Sequence, residues 1–194
     1  MALLYRTELR PNKLELLAAW APSQPWFIGD ADAPLVQVGH FRFDDPAGEV
    51  GVETLLVRAG DGPVMQIPLT YRSDPLPGAE SALIGTMEHG VLGTRWTYDA
   101  LADPVYRGEL ARAILTGGTQ VEMWVDVDGV MTRREPTAHV VGTGTLVDPD
   151  LAGFSVSIVR VPGTETEKVD GPLLLNGTWN DHPEPLVFAW AAAG

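Results

Sequence analysis

A chain of 194 residues that is 45% hydrophobic and 20% charged has the composition of a folded domain able to bury its own core, not that of a disordered segment. Cysteine is absent, which removes disulfides, thiol catalysis and thiolate metal sites together. A net charge of −13, from 13 Lys and Arg against 26 Asp and Glu, argues against nucleic acid and against an anionic membrane surface, because both demand clustered cations.

The N-terminal stretch scatters Arg6, Glu8, Arg10, Lys13 and Glu15 among its apolar residues, which breaks a signal-peptide core. No later stretch reaches the roughly 20 apolar residues of a membrane span, so a cytoplasmic protein is expected. Leu14, Leu17, Ala18 and Ala21 fall near helical spacing and predict a short amphipathic helix over 13–20, stopped by Pro22 and Pro25. Trp26, Phe27, Ile28 and Gly29 follow as an apolar turn beside the acidic pair Asp30 and Asp32, and read as packing. From Leu35 the period changes to two. LVQVGHFRF, VGVETLLVRAG and PVMQIPLTYRS, joined by Asp/Gly/Pro turns, predict an antiparallel meander. Pro63 and Pro68 suggest that the third strand begins or bends at an edge.

Residues 73–80 form a loop, and 81–93 run extended toward Arg95, with TRWTYDAL leading into the clearest helix. Asp103 as N-cap, Pro104 at the first helical position, the stripe Val105, Leu110, Ala111, Ile114 and Leu115, and the closing Gly117-Gly118 define that helix end to end. About five strands follow, the first two joined at Asp128-Gly129, a strong hairpin turn. With no regular βαβ alternation, a doubly wound nucleotide fold is disfavoured. The expected class is α+β, mainly antiparallel, with two to three helices. It forms one domain over 1–194, or two lobes, 1–80 and 81–194, divided at the 73–80 loop.

Few motifs carry chemistry. No phosphate-binding GxxxxGK[ST] or strand-linked GxGxxG occurs. Gly142-Thr143-Gly144-Thr145 precedes no helix, so it lacks the helix N-terminus that holds a phosphate and reads as a bulge or tight turn. His40, His89, His139 and His182 are too scattered for a metal site. Ser155 and Ser157 mark the polar face of a strand. Asp126, Asp128 and Gly129 lack the later ligands of a calcium loop. Asn176-Gly177-Thr178 matches a glycosylation sequon but reads as a turn. No cofactor is expected. The one dense constellation is Glu88, His89, Arg95, Trp96, Tyr98 and Asp99. A titratable His, an Arg fork and a carboxylate suit a polar ligand, and Trp96 and Tyr98 suit the face of a sugar ring. The same residues fit a structural reading, with Arg95 and Asp99 one helical turn apart as an i,i+4 pair and Trp96 in the core.

Three segments carry a family resemblance. Leu17–Gly29, LAAWAPSQPWFIG, has an opening helix and a Trp-x-x-Gly turn. Leu55–Tyr71, LLVRAGDGPVMQIPLTY, has paired strands with a closing hydrophobic-Pro-Leu run. Gly85–Gly118 sets a Tyr-Asp-Ala stretch before an Asp-Pro helix. In this order they resemble the N-terminal cap of the maltokinases, enzymes that phosphorylate maltose between trehalose and glycogen. The resemblance implies a curved, cystatin-like antiparallel sheet with flanking helices. It covers about the first 120 residues, and residues 119–194 contain none of the kinase motifs, so no catalytic residue transfers and a free-standing cap-like protein is expected.

Three functions are compatible with this. The first is a non-catalytic binding or regulatory protein that contacts a kinase or a glucan or trehalose enzyme. The second is a carbohydrate or small-ligand module using Trp96 and Tyr98, with Trp124, Trp179 or Trp190. The third is an enzyme built on His89, Arg95 and Asp99, which requires those side chains to converge on a cavity.

Overall fold

The computed structural model describes residues 2–4, 9–127, 129–164 and 173–194. In chain order these form β1 (Ala2–Leu4), β2 (Leu9–Arg10), α1 (Lys13–Trp20), β3 (Leu35–Phe43), β4 (Gly51–Ala59), β5 (Met65–Arg72), β6 (Leu83–His89), β7 (Gly93–Asp99), α2 (Pro104–Thr116), β8 (Met123–Val127), β9 (Val130–Arg134), β10 (Ala138–Gly142), β11 (Phe154–Ile158), β12 (Leu174–Trp179) and β13 (His182–Ala193). The protein is α+β with mainly antiparallel, curved sheets.

Both helices begin where local chemistry satisfies their free N–H groups. Asn12 Oδ1 accepts from the Glu15 N–H at 3.1 Å while Glu15 Oε2 accepts from the Asn12 N–H at 2.8 Å, a reciprocal box at the start of α1. Asp103 caps α2 by accepting from the Val105 N–H at 3.0 Å, Pro104 takes the first position, and Gly117 ends the helix at φ 71°.

The main sheet has six strands in the order β2-β6-β7-β5-β4-β3. Alternation sorts its side chains onto two faces. One carries Leu55, Val57, Ile67, Leu69, Tyr71 and Met87 and is covered by α1 through Leu17, with Leu14, Leu16 and Trp20. The other carries Phe41, Phe43, Val52 and Leu56 and packs against α2 and a second sheet, β10-β12-β13-β11, through Tyr106, Leu110, Ile114, Trp179 and Phe188. The loop at 73–80 lies within the span of the first sheet, since β7 beyond it pairs with β5 before it. Gln66, buried in β5, joins the two sheets: its Nε2 donates to the carbonyls of Val159 at 3.0 Å and Phe188 at 2.9 Å, and its backbone N–H to Arg160 at 2.7 Å.

Several expectations are corrected. The third strand of the meander, β5, is interior rather than at an edge; Pro68 is accommodated because pairing with β7 covers only Leu69–Arg72, so its missing N–H leaves no bond unmade there. Residues 93–99 approach α2 as a strand, because Thr94, Trp96, Thr97 and Tyr98 favour a pleated surface and partners lie on both sides. Among the described residues six strands follow α2, and β1 pairs in parallel with β8. The β8–β9 hairpin closes with the pair Val127 and Val130; Asp128 of its turn lies outside the described residues. Asn176-Gly177-Thr178 is strand, not turn, and Gly177 is required because a Cβ there would stand 2.5 Å from the Phe188 ring.

The run 142–145 is neither bulge nor tight turn. It extends across the C-terminal end of α2, where Gly144 N–H donates to the Ile114 carbonyl and Leu146 N–H to Leu115, both at 2.9 Å. These bonds satisfy carbonyls that a helix end leaves open. A Cβ on Gly142 would stand 1.9 Å from the Ala113 oxygen, and one on Gly144 2.2 Å from that of Leu115. Gly144→Ala is therefore expected to destabilise the fold by about 1–3 kcal/mol in urea denaturation. Gly153→Ala, where a Cβ meets nothing within 4 Å, serves as control; equal midpoints would refute this packing.

Candidate functional site

The six residues singled out in sequence lie on β6, β7 and their hairpin, and the pleat divides them. Glu88, Trp96 and Tyr98 project to the face that meets α2, and His89, Arg95 and Asp99 to the face that meets α1. Arg95 and Asp99, four residues apart on a strand, stand roughly 13 Å apart along the backbone. The helical i,i+4 pair between them is thereby excluded.

Each of the six has local work. His89 Nδ1 accepts from the backbone N–H groups of Val91 at 3.2 Å and Leu92 at 3.1 Å, so the ring proton resides on Nε2. Partial burial, and then the Arg95 charge, lower its pKa. Arg95 Nη2 donates to the Leu92 carbonyl at 2.8 Å, and Thr94 donates to Glu88 Oε1 at 2.7 Å. Together these bonds shape a hairpin end that leaves Val91 59% and Leu92 42% exposed. Further along, Tyr98 is sealed in the core, its hydroxyl accepting from the Leu76 N–H at 2.9 Å and pinning the 73–80 loop. Asp99 pairs with Arg160, whose guanidinium stacks 4.6 Å from the centroid of Trp26. Trp96, half-buried, stands between Thr86 and Arg72 across the sheet. His89 and Arg95 thus share one face at the hairpin end with Glu88 on the other, while Tyr98 and Asp99 belong to its root.

A second charged cluster was not foreseen. Glu53, 3% exposed on β4, accepts from Lys13 Nζ at 2.5 Å and from the Tyr71 hydroxyl at 2.8 Å, with Arg42 Nη1 at 3.8 Å. Burial opposes its ionisation, but the charges of Lys13 and Arg42 overcome this and hold its pKa at about 2. The same burial and the Glu53 charge push the Tyr71 phenol well above its ordinary value, and burial lowers His40, on the adjoining strand. A carboxylate held ionised and already taking two donors is a poor proton acceptor; its effect is to pin the start of α1 to the sheet. Its sequence signal was a lone acid inside the apolar run VGVETLLV, but its partner Lys13 is forty residues away.

Asp103 behaves similarly. It is 0% exposed and takes a two-pronged contact from Arg72, Nε and Nη2 both at 2.7 Å, while it also caps α2. Among the described residues, no group of three or more His, Asp or Glu is gathered to hold a metal ion. No helix among them is long and apolar enough to cross a membrane.

The segment that holds β3 to β7, with Glu53, the hairpin and Asp103, is also the segment that resembles a known domain. Residues 20–103 match the maltokinase N-terminal cap domain. This chain carries a cap-like segment. No curated protein matches it. The cap segment ends at the N-cap of α2, so that helix and the second sheet build onto a cap whose inner face they cover.

Proposed function

We propose that this is a non-catalytic, cap-like binding or regulatory protein that acts beside maltose, trehalose or glycogen metabolism by contacting a kinase or a glucan- or trehalose-processing enzyme. The match of residues 20–103 to a maltokinase cap carries this reading. It is supported by the way the ionisable groups of the segment are spent on backbone and on one another, Glu53 on Lys13 and Tyr71, Asp99 on Arg160, Asp103 on Arg72. The contact surface we favour is the β6–β7 hairpin end. Exposed Val91 and Leu92 there are flanked by Glu88, His89 and Arg95, a small apolar contact with a polar rim of the kind that anchors protein interfaces.

The test is direct binding of the purified chain to a maltokinase and to glycogen- and trehalose-processing enzymes, by size exclusion and calorimetry. Binding is expected to weaken at least tenfold in Leu92→Asp, whose exposed position leaves the fold intact. No binding to any of these enzymes, together with unchanged glycogen and trehalose on deletion of the gene, would sink the proposal.

A further inference from the structure

The outer face of the second sheet holds a hollow of about 270 Å³, a little below the ~300–1,000 Å³ of ordinary small-molecule sites. It lies outside the cap segment and outside the six residues considered above. Its rim is set by the strand register: His139 of β10 faces Thr178 of β12, and Val141 faces Asn176, so all four side chains rise on one side. Between Gly177 and Trp179 the pairing of β12 with β13 slips, and this bulge brings Pro185 to the wall of the hollow.

One side of the hollow is chemically defined. Gln120 Oε1 accepts from the Val140 N–H at 2.8 Å, which turns its amide nitrogen toward His139 Nδ1 at 3.2 Å. An amide nitrogen can only donate, so Nδ1 accepts and the imidazole proton sits on Nε2. His139 therefore offers an N–H donor that Gln120 does not consume. Asn176 supplies both a donor and an acceptor, Thr178 a hydroxyl that serves as either. Val141 and Pro185 add apolar surface beside them. Among the described residues, no carboxylate, lysine or arginine lines the hollow.

We propose that this hollow binds a neutral, hydroxyl-rich ligand no larger than a single sugar or cyclitol ring. An uncharged lining on a chain of net charge −13 gives an anion nothing to pair with, and a cation no local carboxylate. Hydroxyl groups both donate and accept, which matches the mixed set on His139, Asn176 and Thr178, while ring C–H edges suit Val141 and Pro185.

The experiment is an amide chemical-shift titration of the full chain with D-glucose and with myo-inositol, using glucuronate and glucosamine as charged comparators. Shifts confined to residues around 139–141 and 176–178 are expected, with a Kd on the order of 1 mM and weaker response to the charged pair. His139→Ala and Thr178→Val, both at surface positions, should each weaken binding about tenfold without moving the urea midpoint. No shifts, shifts elsewhere, or shifts that survive in both variants would overturn the proposal.

Discussion

Replacing Glu53 with alanine should destabilise the protein by about 3–5 kcal/mol, read from the urea unfolding midpoint. The loss strands two cations, Lys13 and Arg42, over a sheet face with little water, and leaves the buried Tyr71 hydroxyl without its acceptor. Lys13→Met should cost less, because Lys13 is the more exposed partner and Arg42 remains beside the carboxylate. The cluster also predicts an acid limb. Glu53 is held at about 2 in the fold against an ordinary value of 4.5, so the unfolded chain binds the proton first as pH falls. The stabilisation is therefore complete above about pH 4.5 and is lost as pH drops toward 2, a change on the order of 3 kcal/mol. Glu53→Gln should flatten that limb. An acid profile identical in wild type and Glu53→Gln would show that the pair does not act as described.

Asp103→Ala is expected to be comparably severe, about 3–5 kcal/mol, because one substitution removes the helix cap and leaves the Arg72 fork unpaired. The two contributions separate experimentally. Asp103→Asn keeps a side chain that caps well but loses the charge, and Arg72→Met removes the cation while keeping the cap. If the ion pair dominates, Asp103→Asn should approach Asp103→Ala in cost, and the double variant Asp103→Asn with Arg72→Met should recover part of the loss. If Asp103→Asn unfolds at the wild-type midpoint, the pair contributes nothing. Desolvation raises the Asp103 pKa, but hydrogen bonds from Arg72 and the Val105 N–H outweigh it and leave the value lowered. Its stabilisation is likewise present at neutral pH and lost as pH falls through the lowered value.

What could be read from the sequence was local. α2 was legible from Asp103, Pro104, its stripe and Gly117 because capping needs only neighbours, and the β3–β5 meander because its turns and alternation lie in one stretch. The cap resemblance rested on the order of such signals and holds over residues 20–103. Residues 93–99 were harder. A spacing of four between Arg95 and Asp99 suits a helix, and only the strands on either side, β5 and β6, make it a strand. The candidate block suffered from the same blindness. Six residues between 88 and 99 are divided three and three between the two faces of the sheet by a period of two, so nearness along the chain did not make them one site. Glu53 is a lone acid within the apolar run VGVETLLV, and nothing nearby names Lys13, forty residues away, as its partner.

Gln66 has a consequence for synthesis. Its side chain reaches carbonyls 93 and 122 residues further along the chain, so the bonds that close the inner face of the cap cannot form when the cap itself emerges from the ribosome. At ordinary translation rates that wait is on the order of ten seconds, during which Phe41, Phe43 and Leu56 have α2 to pack against but not yet Trp179 and Phe188. The segment with the family signature is made first and finished last.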